Sequence, residues 1–333
     1  MSDMFWLHVP LQTIRGEWLQ AQGYERFTVL GHSAQLIDIT LGPADPSTSA
    51  TIGVVRQALR FDPMPEAEAR RLFDQLRSRL PVLAFRRNAA ICVPETELRV
   101  ALADHKGNHP FRVPTLIPAD LTPEPYDAVI TSTAYDDAAT TLRTLEICPV
   151  VSDERLLAAM DLLVAAKYET LLRSVFLTHL TIIDSLANRS NRPSRVTDWI
   201  EKKIKEAKRF DDPSLESAVG NLKQTSHGSA IRELVGRAEK ALGGDTKEIR
   251  RQQSRARNLY KLRSGLSHGA DAQPVSSRDV ADARTLVGRI VDAALEYPDV
   301  LTRSDELAPP SRLPAWLRRL LRFLSERFAR LAA

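Results

Sequence analysis

The stretch SDERLLAAMDLLVAAKYETLLRSVFLTHLTIIDSLANRS, residues 152–190, is where the chain changes character. Ser152 and Asp153 stand ahead of acidic and apolar residues, the pattern of a helix N-cap. Phe176, Leu180, Ile183 and Ala187 then recur at helical spacing. Working outward toward the C-terminus, SRVTDWIEKKIKEAKRF (194–210) is a shorter amphipathic helix that turns Trp199, Ile200, Ile204 and Ala207 toward a core. GSAIRELVGRAEKALGG (228–244) is another, closed by Gly243 and Gly244 where a helix C-cap wants glycine. DTKEIRRQQSRARNLYKLRSGLSHG (245–269) is strongly basic. SSRDVADARTLVGRIVDAALEYP (276–298) is capped by Ser276 or Ser277, carries Val280, Ala283, Val287, Ile290 and Ala294 as one stripe, and stops at Pro298. Together these segments predict an all-α bundle of four or five helices.

Upstream, residues 1 to about 148 read as mixed and strand-rich. FTVLGHSAQLIDITLG (27–42), TIGVVRQALRF (51–61), LPVLAF (80–85), ICVPETELRVAL (91–102) and YDAVITSTAY (126–135) alternate or are rich in β-branched residues, with glycine and proline between them. One helix interrupts them: PEAEARRLFDQLRSRL (65–80) opens on Pro65 and acidic residues. HPFRVPTLIPADLTPEP (109–125) reads as loop or edge structure. His105 and His109 have no third or fourth ligand nearby in sequence, so DHKGNH reads as a polar loop before it reads as a metal site. The fold class expected is therefore multi-domain α+β: an N-terminal mixed, largely β domain (1–148) as a sensor or regulatory module, then an all-α helical domain (149–299). A Pro-containing linker (300–313) leads to an amphipathic basic helix (314–333), in which Leu317, Leu320, Leu321, Leu324, Phe328 and Leu331 share a face flanked by arginines. That helix suits docking on a protein, a membrane surface or RNA.

Composition narrows the function classes. The apolar fraction of 43% can fill two cores, and no run of about 18 apolar residues suggests a membrane span, which argues against integral insertion. The N-terminus lacks a basic region followed by an apolar stretch and reads as mature protein. Cys92 and Cys148 are isolated thiols, which suit a reducing cytoplasm and small core positions. The net charge of +4 hides an asymmetry: residues 1–150 carry 14 basic and 18 acidic side chains, residues 151–333 carry 32 and 24. The basic half suits a polyanionic partner.

The chemistry concentrates in NLYKLRSGLSHG, residues 258–269. Arg263 offers a permanently charged planar fork for phosphate, and His268 can give or take a proton near neutral pH. Five positions apart, they diverge by about 140° on a continuous helix. Gly265 and Gly269 suggest that the helix loosens or ends there, letting both reach one cleft. Such a pair can break a phosphodiester without a metal or cofactor if the substrate brings its own nucleophile, as RNA does with its 2′-hydroxyl. The plain alternative is that both residues satisfy the last carbonyls of a helix. Arg255, Arg257 and Lys261 lie upstream on the same helix and could contact RNA phosphates, or form a solvated face. Tyr260 could stack a base or fill the core. His179, between apolar neighbours, reads as a hydrogen-bonded core histidine, and His227, in QTSHGS, as a surface polar residue.

From about Leu156 to Leu295 the chain resembles the HEPN superfamily, in its Apea-like branch. The resemblance rests on the order of elements: a long helix pair containing FLTHLTIIDSLAN with Asp184 in an apolar setting, helices such as WIEKKIKEA and SAIRELV, and a basic helix ending in LYKLRSGLSHGA. Arg263 and His268 match the family's R-x4-H motif. The resemblance implies a metal-independent endoribonuclease of a prokaryotic toxin or anti-phage defence system. It would act as a homodimer and leave a 2′,3′-cyclic phosphate and a 5′-hydroxyl. It makes His268 the general acid or base, Arg263 the stabiliser of phosphorane charge, and Asp184 an acidic partner orienting one of them. Ser264 stands directly after the arginine, where Asn is common, and joins Arg255, Arg257 and Lys261 as an RNA contact. A protein partner or activator would engage the N-terminal domain or the terminal helix. Some relatives bind RNA or protein within a defence complex and cut nothing, which is the alternative function.

Overall fold

The segment TVLGHS turns the chain back on itself because Leu30 and Gly31 both adopt positive φ (52° and 79°), the pairing that a tight right-twisted hairpin needs. This joins β2 (Phe27–Val29) to β3 (His32–Asp38) in the computed structural model, which describes residues 4–14, 26–38, 54–93, 97–101, 113–119, 140–268 and 274–302. By its contacts the chain divides into two units, Met1–Thr170 and Leu171–Ala333.

In the first unit β1 (Met4–Ile14) and β4 (Val54–Pro65) are long antiparallel neighbours at the centre of a sheet. With β5 (Arg99–Val100) and β6 (Thr115–Pro118) the strand order is β2-β3-β4-β1-β6-β5, antiparallel except for the β5–β6 pair. Leu7, Val9 and Leu11 of β1 lie opposite Phe61, Leu59 and Gln57 of β4, and all six are buried. Helix α1 (Glu66–Arg86) packs on β1 and β4 and buries Leu72, Phe73, Leu76, Leu80 and Leu83. The alternate row of the sheet is polar: Gln35, Arg60, His8 and Thr115 are successive cross-strand partners. Arg60 donates to Gln35 at 2.7 Å and lies 5.4 Å from the Trp6 ring centroid. Burial, with Arg60 adding to it, pulls the His8 pKa down to about 3, so the imidazole is neutral.

Three expectations change here. The run LPVLAF is helix, not strand: α1 continues through Pro81 to Arg86, and Leu80, Pro81, Val82, Leu83 and Ala84 are all buried. A run buried on every side has lost the periodicity that separates helix from strand. TLIP, within the stretch read as loop or edge, is β6 and pairs with both β1 and β5. The division falls at Thr170 and Leu171, later than 148/149, because α2 (Glu154–Ala165) packs on α1. Asp153 caps α2, accepting from the backbone N–H groups of Arg155 and Leu156. Cys148 is buried and Cys92 half-buried; burial raises both thiol pKa values, that of Cys92 to about 11. YDAVITSTAY, His105, His109 and residues 303–333, where the linker and an amphipathic helix are expected, lie outside the described residues.

The second unit is helical: α3 (Leu172–Leu186), α4 (Ser194–Ala207), α5 (Pro213–Asn221), α6 (His227–Ala241), α7 (Thr246–His268) and α8 (Ser277–Glu296). Helices α3, α6, α7 and α8 pack on one another, and α4 pairs with α5. Phe176, Leu180, Ile183, Leu234, Val235, Leu259, Leu286, Val287 and Ile290 fill the core. Ser276 and Asp279 form a reciprocal capping box at the start of α8. His179 is buried, its Nδ1 2.6 Å from the Val175 carbonyl, and burial lowers its pKa. Trp199 departs from expectation: it is 56% exposed, with Lys203 over its ring, while Ile200 and Ala207 carry the packing of α4. No helix among the described residues is long and apolar enough to cross a membrane.

Candidate functional site

Helix α7 is basic because only a narrow stripe of it, Gln252, Ala256, Leu259 and Leu266, is buried. The rest of its circumference is left for charge. The directions in which its side chains leave the axis sort the candidate residues into three groups.

The first group faces α3. Arg263 Nη1 lies 2.8 Å from Asp184 Oδ2, with the two side chains 29% and 19% exposed. Asp184 sits in the last turn of α3, one residue after the buried Ile182–Ile183 pair, so the core that fixes α3 also fixes the carboxylate. Arg173, in the first turn of α3, donates to the Leu266 carbonyl at 3.3 Å, so both ends of α3 engage the final turns of α7. The Arg263 guanidinium also lies 5.8 Å from the Tyr260 ring centroid. Tyr260 is half-buried, its ring over Gly228 at the start of α6, where a Cβ would stand 3.8 Å away. The same corner holds His227, whose Nδ1 is 4.0 Å from Asp184 Oδ1. That oxygen is buried and, among the described residues, accepts no hydrogen bond.

The second group is the exposed face of α7. Arg257, Lys261 and Ser264 are all exposed and fall within one sector of the helix. His268 is the last residue of α7, and its Cα lies along the same strip of the helix. Helix α7 runs unbroken through Gly265, whose Cβ position is open. The loosened turn expected at Gly265 is therefore not formed, and the directions of positions 263 and 268 differ by about 140°.

Arg255 forms the third group, apart from the other three residues expected to contact RNA. It lies 3.4 Å from Asp282 of α8 and donates to Gln252. It lines a cleft of about 620 Å³ between α7 and α8 together with Arg251, Asn258, Arg278, Asp279 and Asp282. Arginine and aspartate offset one another there.

The structure thus brings Asp184 to Arg263, and gathers Arg257, Lys261 and Ser264 on one face. It adds His227, read from the sequence as a surface residue only. Serine followed by histidine at a helix start was the one local sign of it: Ser226 caps α6 and so fixes the backbone at His227. Among the described residues, no group of three or more His, Cys, Asp or Glu side chains is arranged to hold a metal ion. Comparisons of the chain with protein-family models, with curated proteins and with solved structures return no match.

Proposed function

We propose that the second unit is a HEPN-type endoribonuclease that cleaves RNA by attack of the 2′-hydroxyl. The products are a 2′,3′-cyclic phosphate and a 5′-hydroxyl, as for toxins of prokaryotic defence systems. The observation that carries the reading is the Arg263–Asp184 pair. A guanidinium is held at the edge of the fold by one carboxylate oxygen, beside an exposed basic strip on the same helix. The charge-assisted contact with Asp184 orients the guanidinium, a planar group whose geometry matches phosphate oxygens. Asp184 is then a positioning residue, Arg263 stabilises charge building on phosphorus, and His268 transfers a proton. Arg257, Lys261 and Ser264 contact the strand, while Arg255, tied to Asp282, carries none of its phosphate binding. Because positions 263 and 268 diverge on an unbroken helix, the reading is completed by a second copy that sets another α7 across the substrate. The sheet unit serves as the sensor or restraint.

Purified full-length protein incubated with RNA in EDTA tests this. His268→Ala and Arg263→Ala should abolish cleavage without changing fold or oligomeric state. Equal cleavage by the double variant removes the mechanism.

One observation favours a second reading, a non-cutting interaction subunit. Trp199, Phe210, Leu215 and Leu222 are exposed on and around α4 and α5, an apolar surface that suits a protein partner. On that reading no RNA is cut, and Trp199→Ser with Phe210→Ser releases a partner.

A further inference from the structure

Cleavage of RNA by its own 2′-hydroxyl needs two proton transfers. One proton leaves O2′ as it bonds phosphorus, and another reaches O5′ as the P–O5′ bond breaks. The proposed function names one imidazole, His268, for these two tasks. A second imidazole stands beside Asp184, the carboxylate that holds Arg263, and comes from a different helix.

His227 is the first residue of α6 and is 55% exposed, yet its Nδ1 is 4.0 Å from Asp184 Oδ1. Asp184 therefore lies between two candidate groups: Oδ2 meets Arg263, and Oδ1, buried and without a hydrogen bond among the described residues, faces His227. A hydrogen bond between the two would need an approach of about 1 Å. Such a bond would fix the tautomer that keeps the proton on Nδ1 and leaves Nε2 as a base. The backbone at this point is held firmly. Ser226 caps α6, the N–H of Thr225 donates to the Ser190 carbonyl, and Arg189 donates to the Thr225 carbonyl.

Resting on the ribonuclease reading, we infer that His227 is a second proton-transfer residue of the same site. Its Nε2 takes the proton from O2′ as the O2′–P bond forms, while the His268 imidazolium gives a proton to O5′ as the P–O5′ bond breaks. One proton is taken and one returned, and no co-reactant is required. The charged and titratable groups around His227 are Asp184 from α3, Arg189 just after it, Arg263 and Tyr260 from α7, and Arg232 on its own helix, which donates to the Gly228 carbonyl.

The test is the pH–rate profile of cleavage of one RNA oligonucleotide by full-length wild type, His227→Ala, His227→Gln, Arg263→Ala and His268→Ala. Both His227 variants should lose about 100-fold or more in kcat with little change in KM, and should lose the limb of the profile that rises with pH. A structural role would lower stability and leave the shape of the profile intact. If the His227 variants keep wild-type rates and both limbs while Arg263→Ala is inactive, His227 has no such role and the ribonuclease reading stands. If wild type cuts nothing, or Arg263→Ala and His268→Ala cut as wild type does, the reading itself fails and this inference with it.

Discussion

Two arginine–carboxylate pairs in the helical unit have the same chemistry and opposite surroundings. Glu239 of α6 is 1% exposed, and Arg289 of α8 occupies both its oxygens through Nε and Nη2. These bonds raise the pKa of Arg289 above the ordinary arginine value. Asp184 is 19% exposed, Arg263 takes one of its oxygens, and the other is buried and has no hydrogen bond among the described residues. The arginines are similarly exposed, so the difference lies in the carboxylates: Glu239 is buried with both oxygens taken and ties two helices together, whereas Asp184 is more exposed and has one oxygen taken by Arg263. The difference separates a structural ion pair from a candidate site more sharply than residue type does.

Breaking each pair should expose that difference. Arg289→Ala leaves a buried carboxylate uncompensated, and should cost about 3–5 kcal/mol in denaturant unfolding of the helical unit. Arg263→Ala, measured the same way, should cost no more than about 1 kcal/mol. Equal losses would erase the distinction. The sheet unit supplies another buried group for comparison with Glu239: His8, whose pKa falls to about 3 in the fold. Between that value and the ordinary 6.5 the unfolded chain binds the extra proton, so stability is complete above pH 6.5 and is lost as pH falls. The expected loss is about 2 kcal/mol by pH 5, and His8→Phe should flatten this dependence in unfolding followed by tryptophan fluorescence. The smallest effects concern the basic strip. Arg257→Ala and Lys261→Ala should each lower the salt slope of RNA binding by about one, whereas Arg255→Ala, tied to Asp282, should leave it unchanged.

The same contrast explains what could be read from the sequence. The stripe Val280, Ala283, Val287, Ile290 and Ala294 is buried as its spacing requires, because a helix with one wet face must show its period. Asp184 was visible as an acid in an apolar run, and Arg263 as a guanidinium near a helix end. Other features were hidden for physical reasons. Residues 80–84 carry no period because they are buried all round. Trp199 sits at an apolar position of its helix, yet only tertiary packing decides that Ile200 points inward and Trp199 outward. His227 and Asp184, like Glu239 and Arg289 fifty residues apart, meet through the fold, where local spacing carries no signal.

The most direct test of the account is a paired measurement on Arg263→Ala: its unfolding free energy, and its cleavage of RNA beside wild type. The account predicts near-wild-type stability with cleavage reduced by about 100-fold or more, the wild-type product carrying a 2′,3′-cyclic phosphate. A variant that unfolds readily, or one that cuts as well as wild type, would contradict it.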